Sequence, residues 1–136
     1  MRLSMQVRVM RALCVLSLCA GISTSSFALD PLTQRLTSAS WSSALPEIER
    51  LDPQSKQRVA QELAEIMVSG YSDEKFRARQ ALSKFGRTAV APLLCLLRNN
   101  QDLVRWNAIE TLGEVGRDAA EAAPQLAAII QTDQDV

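Results

Sequence analysis

The strongest constraint in this sequence is a segment that occurs twice. Ala78-Arg79-Gln80-Ala81-Leu82-Ser83-Lys84-Phe85-Gly86-Arg87 is echoed 30 residues later by Ala108-Ile109-Glu110-Thr111-Leu112-Gly113-Glu114-Val115-Gly116-Arg117. A second pair, Ala91-Pro92-Leu93-Leu94 and Ala123-Pro124-Gln125-Leu126, recurs at an offset of 32. A period near 30 means one supersecondary unit used repeatedly. In each copy the apolar residues fall at helical spacing: Ala78, Ala81, Leu82, Phe85, then Val90, Leu93, Leu94, Leu97. The unit is therefore two helices. One such hairpin has no complete interior, so its neighbour must cover the apolar side that it cannot bury alone. The predicted fold class is all-α, a short α-solenoid of stacked antiparallel helix hairpins.

Local signals set the expected boundaries. Asp52-Pro53 reads as an N-cap followed by proline at the first helical position, opening a helix to about Ser69. Gly70 is expected to close it as a left-handed cap, and Gly86 and Gly116 to do the same later. Ser72 or Asp73 is expected to cap the helix that ends at Phe85, and Asp102 the one that ends at Val115. The partner helices are expected over about Thr88–Arg98 and from Asp118 to about Gln131, with Pro92 and Pro124 in first turns, where a missing N–H costs least. The resulting division is a flexible lead or short frayed helix over 29–40, a degenerate hairpin over 41–70, and full repeats over 71–101 and 102–136. The last helix carries Ala123, Leu126, Ala127 and Ile130 on one face and few polar residues elsewhere. A terminal repeat needs a polar outer side, so this end is expected to be covered by further repeats, by a partner or by self-association.

The pattern Val104-Arg105, Ala108, Thr111-Leu112-Gly113, Val115-Gly116, Ala123-Pro124 and Leu126 resembles the HEAT repeat, in the subtype found in phycobilisome-lyase-like proteins. The likeness is good from Asp73 to Val136, and Ala44-Leu45-Pro46 echoes it earlier. It implies the solenoid fold but says little of the task, because such repeats serve many. Arg105 resembles the family arginine that bridges neighbouring repeats. Lys75 stands in the same place of the earlier copy.

The first 28 residues read as an export signal. Arg2, Arg8 and Arg11 precede an apolar run from Ala12 to Ile22, and Ser26-Phe27-Ala28 offers small residues for a cut after Ala28. The run is about 11 residues, too short for a helix to span a bilayer core of roughly 30 Å. The predicted location is secreted or periplasmic, with no stable membrane insertion after cleavage. An uncleaved anchor is the alternative, and Leu16-Ser17-Leu18-Cys19 resembles a lipobox apart from Leu18. Cleavage leaves a net charge of −3, which gives no overall attraction to nucleic acid.

The residue inventory argues against catalysis. There is no histidine, hence no common general base or metal ligand. Cys95 is the only thiol after Ala28, and it aligns with Ala127, a small buried position; a structural role is expected. Deoxyhypusine hydroxylase, a HEAT-repeat enzyme, binds iron through His-Glu pairs that this chain lacks. Glu62/Glu65 and Glu110/Glu114 are expected to be solvated helix faces. No cofactor is expected. The densest basic stretch is Lys75, Arg77, Arg79, Lys84 and Arg87, and Phe76 and Trp106 hold equivalent places in the two copies. Packing and solvation are one reading of these residues. The other is a docking surface for another protein, with Arg105, Trp106, Lys75, Arg77 and Arg79 as contacts, since Trp and Arg dominate interface energies. The predicted function is an exported protein-interaction module. An accessory or remnant of a lyase-like enzyme, and a structural self-assembler, are the alternatives.

Overall fold

The computed structural model describes residues 29–132; the expected export signal at 1–28 and the last four residues lie outside the described residues. Every regular element among those residues is helical. In chain order they are α1 (Pro31–Leu36), α2 (Trp41–Ala44) running into a 3-10 turn (Leu45–Arg50), α3 (Pro53–Ser69) and α4 (Ser72–Ser83). A 3-10 segment (Gly86–Ala89) then leads into α5 (Val90–Leu96). The second copy repeats the arrangement as α6 (Asp102–Val115), a 3-10 segment (Gly116–Ala122) and α7 (Ala123–Thr132).

The helix starts follow local chemistry. The Asp52 carboxylate accepts a hydrogen bond from the Ser55 N–H (2.9 Å), and Pro53 fills the first position of α3. In α4 the N-cap is Tyr71 rather than Ser72 or Asp73, because Glu74 reaches back to accept from the Tyr71 N–H (2.9 Å). In α6 the N-cap is Gln101, one residue before the expected Asp102. The partner helices differ from expectation at their starts. Thr88–Arg98 and Asp118–Gln131 each open as a 3-10 stretch, and the α-helix begins just before Pro92 and Pro124.

Gly86 and Gly116 have φ of 56° and 70°, the conformation expected of a stop glycine. Gly70 does not: its φ is −71°. Its constraint is steric, because a Cβ there would stand 2.6 Å from the Ile66 carbonyl oxygen.

The core runs through the stack as one cluster. Ala60, Leu63, Ala64 and Met67 of α3 meet Ala78, Ala81 and Leu82 of α4, then Leu93 and Leu96 of α5, and Val104, Ala108 and Leu112 of α6. The closest pairing joins α3 to α4; α4 and α5 then both pack on α6, so the second copy leans on the first as the repeat requires. Small side chains at Ala60, Ala64, Ala78 and Ala108, all fully buried, allow the backbones to approach.

The N-terminal part departs from expectation. Of the two readings of residues 29–40, the short helix holds and the flexible lead does not, and the helix is capped rather than frayed: Asp30 accepts from the Leu32 N–H (2.9 Å), and Leu32, Thr33, Leu36 and Thr37 are buried. α1 packs on α2, α3 and α4. The short Trp41–Arg50 segment packs chiefly on α1, and α3 chiefly on α4, rather than as a hairpin with each other. The signal for this was weak because six residues give too little periodicity to read. The last helix also differs. Ala123 and Ala127 are exposed, and Leu126 and Ile129 are only partly buried against the core.

A candidate protein-docking face

α4 and α6 are the first helices of the two copies, and they lie side by side. Between them runs a groove of about 470 Å³, lined by Tyr71, Lys75, Phe76, Leu103 and Asn107, with Met67 at its floor. Phe76, part of that lining, is 54% exposed, and Trp106, at the equivalent place on α6 but outside the lining, is 57% exposed. Leu103, Tyr71 and Ile109 are also exposed. The packing reading of the two aromatics is thus wrong. Both stand at the same register on the outer side of their helices, opposite the alanines that face the core. Surface aromatics in a run of this kind are costly to leave in water and mark binding surfaces.

The basic residues divide by what they already hold. Arg79 spans the groove floor to pair with Glu110 and Glu114 of α6, the second at 3.6 Å, and its guanidinium lies 5.9 Å from the Phe76 ring centroid. It therefore ties the two copies together and orients Phe76. Its Nε is buried without a hydrogen-bond partner. Arg77 points the other way and donates to the Thr37 carbonyl (3.1 Å), holding the end of α1. Arg87 pairs with Glu121 of the next copy. Arg105 donates to the Asn99 carbonyl (2.8 Å) and to Asp102 (2.5 Å). Both partners flank its own helix start, and the Asn99 bond crosses the α5–α6 turn to hold the end of the preceding repeat. Lys75 lines the groove itself. Of the five residues singled out from the sequence, Lys75 lines the groove and Trp106 is exposed on α6 outside it. Arg79 organises it, and Arg77 and Arg105 serve turns and helix ends. The groove also depends on Leu103, Tyr71 and Asn107, which the sequence reading missed. Leu103 could have been found from its place one turn before Trp106.

Of the acidic pairs, Glu62/Glu65 is not a solvated face, whereas Glu110 and Glu114 stay part-exposed in a surface ion pair. Glu110 and Glu114 are spent on Arg79. Glu62 accepts from the Asp30 N–H (2.9 Å) and the Thr33 hydroxyl (2.5 Å), which docks α1 onto α3. Arg58 adds an ion pair to Asp30 at 3.3 Å. Glu65 is only 5% exposed and its Oε2 finds no hydrogen-bond partner. Burial, with the Glu62 charge beside it, pushes the Glu65 carboxyl up to about 7. Burial likewise raises Glu62, against the pull of its bond from Thr33. Among the described residues, no group of three acids or thiols is placed to hold a metal ion, and no helix is long and apolar enough to cross a membrane. Cys95 is half-buried rather than fully buried.

Stacked hairpins with an apolar groove and exposed aromatics define a helical-repeat protein of the kind that presents a surface to other proteins. Residues 44–136 match the model of the HEAT repeats, and the chain belongs to that family. No curated protein and no solved structure matches the chain.

Proposed function

We propose that this chain is an exported HEAT-repeat module of the phycobilisome-lyase-like subtype, without catalysis of its own. It docks a partner protein through the outer side of α4 and α6, from the groove that Phe76 lines to the exposed Trp106. One observation carries the reading: two large aromatics at equivalent places in successive copies are both more than half exposed. A side chain kept only for packing would face the core, as Ala78 and Ala108 do. Exposed Trp and Phe are the usual anchors of an interface, and Lys75 adds a cation in the groove that Phe76 lines.

The test is a photo-crosslinking residue placed at position 106, with one at Gln57, exposed on α3, as the control. The captured protein is then titrated against wild type and Trp106→Ala. The expected result is a partner that crosslinks at 106 and not at 57, and that binds the variant at least about tenfold more weakly, the size of a hot-spot loss. Unchanged helicity shows that the loss lies at the surface. Equal affinity for the two proteins would rule this surface out.

Export is supported by the arginines, the short apolar run and Ser26-Phe27-Ala28. The protein recovered outside the cytoplasm of its host is expected to begin at Leu29. Recovery of the full-length chain in the cytoplasm alone would remove export from the proposal.

A further inference from the structure

The groove between α4 and α6 carries a charge that the fold does not answer. Lys75 and Arg79 stand one turn apart on α4, and both line the groove. Like charges at that spacing repel, and an anion beside each relieves the cost. Arg79 has its anions in Glu110 and Glu114. Lys75 is half-buried, and no carboxylate among the described residues pairs with it. The acids close by are outside the lining. Glu74 accepts from the Tyr71 N–H, Asp102 pairs with Arg105, and Asp73 is exposed. Across the groove on α6, the Asn107 side-chain amide has no hydrogen-bond partner among the described residues. The rest of the wall is largely apolar: Met67 is buried beneath, and Phe76 and Leu103 are more than half exposed.

We infer that the groove takes a short acidic segment of the partner protein, in which an aspartate or glutamate stands beside a bulky apolar residue. The carboxylate meets the Lys75 ammonium and accepts from the Asn107 amide. The apolar side chain lies against Phe76 and Leu103, over Met67. This rests on the reading of α4 and α6 as a docking side and names the chemistry of what docks there. Charge complementarity decides the occupant. A nucleic acid needs cations in series for its phosphates, and the arginines around the groove are already paired, Arg79 with Glu110 and Glu114 and Arg105 with Asp102. An unanswered ammonium beside apolar walls matches a carboxylate beside an apolar side chain. The volume of about 470 Å³ is that of a pocket for a small ligand, roughly 300–1,000 Å³, so the groove admits side chains rather than a whole helix. Phe76 is already steadied by the Arg79 guanidinium, 5.9 Å from its ring centroid, so docking sacrifices little of its freedom.

The test selects peptides from a random phage-displayed library on the full chain. The enriched sequences are expected to carry Asp or Glu beside Leu, Ile, Met, Phe or Trp. The tightest is synthesised, and its affinity is measured for wild type, Lys75→Gln and Lys75→Arg. Lys75→Gln, and separately an acid-to-amide change in the peptide, should each weaken binding at least about tenfold, as for loss of a charge pair. Both changes together should cost no more than either alone, and Lys75→Arg should keep most of the affinity. The peptide change removes the same bond without touching the fold of the protein. Enrichment of no peptide, enrichment of neutral or basic peptides, indifference to Lys75→Gln, or losses that add overturns the inference. So does self-association of the chain that Lys75→Gln abolishes in sedimentation equilibrium. Trp106→Ala, measured against the protein crosslinked at position 106, judges the docking side itself. A loss there, with Lys75→Gln without effect, leaves the docking side standing and removes the acidic segment alone.

Discussion

Leu82→Ala is expected to lower the stability of the protein by about 2–5 kcal/mol, the range for truncating a fully buried leucine. Leu82 is fully buried on α4, the helix that faces both α3 and α6. The loss has two parts. The removed carbons no longer leave water on folding, and the helices cannot close the gap, because their backbones are already brought together by Ala60, Ala64 and Ala78. In a stacked fold the damage extends beyond one site, since each hairpin depends on its neighbour for the side it cannot cover. Urea titration followed by circular dichroism measures the effect. A change below about 1 kcal/mol, the range of ordinary surface substitutions or small repacking, would mean that α4 is not the centre of the stack.

The second large effect is on pH. The Glu65 carboxyl is raised in the folded protein from an ordinary 4.5 to about 7, first by burial and then by the Glu62 charge. The folded state therefore holds a proton that the unfolded chain releases earlier. Stability is full below about pH 4.5, falls as pH rises toward 7, and levels off above it, with a total loss of about 3 kcal/mol. Glu62, raised in the same direction, adds to the decline. Glu65→Gln keeps the shape without the charge. It is expected to match wild type near pH 5 and to exceed it by about 3 kcal/mol at pH 8. Thermal melts of both proteins across that range decide the matter. A flat wild-type profile, or a glutamine variant weaker at pH 8, would contradict the assignment.

The repeat was legible because it was written twice. Ala78 and Ala108, Gly86 and Gly116, and Pro92 and Pro124 are each fixed by a local backbone or packing need, and those needs recur in register. The bounds of α3 and α6 could be read because Asp52-Pro53, Gly70 and Gly116 punctuate long periodic runs. What could not be read depends on contacts between distant segments. α1 is six residues long, and it is held by Glu62 and Arg77, which lie about 30 and 40 positions away in sequence. Glu65 looks on a helical wheel like one of several surface acids, until α1 is laid over that side of α3. The arginines misled in a similar way. Their density suggested a basic stripe, yet most of their charge is answered by Glu110, Glu114, Glu121 and Asp102 within the fold. Of the docking face, the aromatics were visible as paired positions. The groove that Phe76 lines exists only once α4 and α6 are side by side.

The closest pairing in the molecule joins two helices separated by Gly70 and Tyr71 alone. Bringing such near neighbours together sacrifices little chain entropy, so this contact forms ahead of any other of comparable size. Folding then has a starting place, α3 on α4, from which order spreads outward in both directions: toward α1 on one side, and through α5 and α6 on the other.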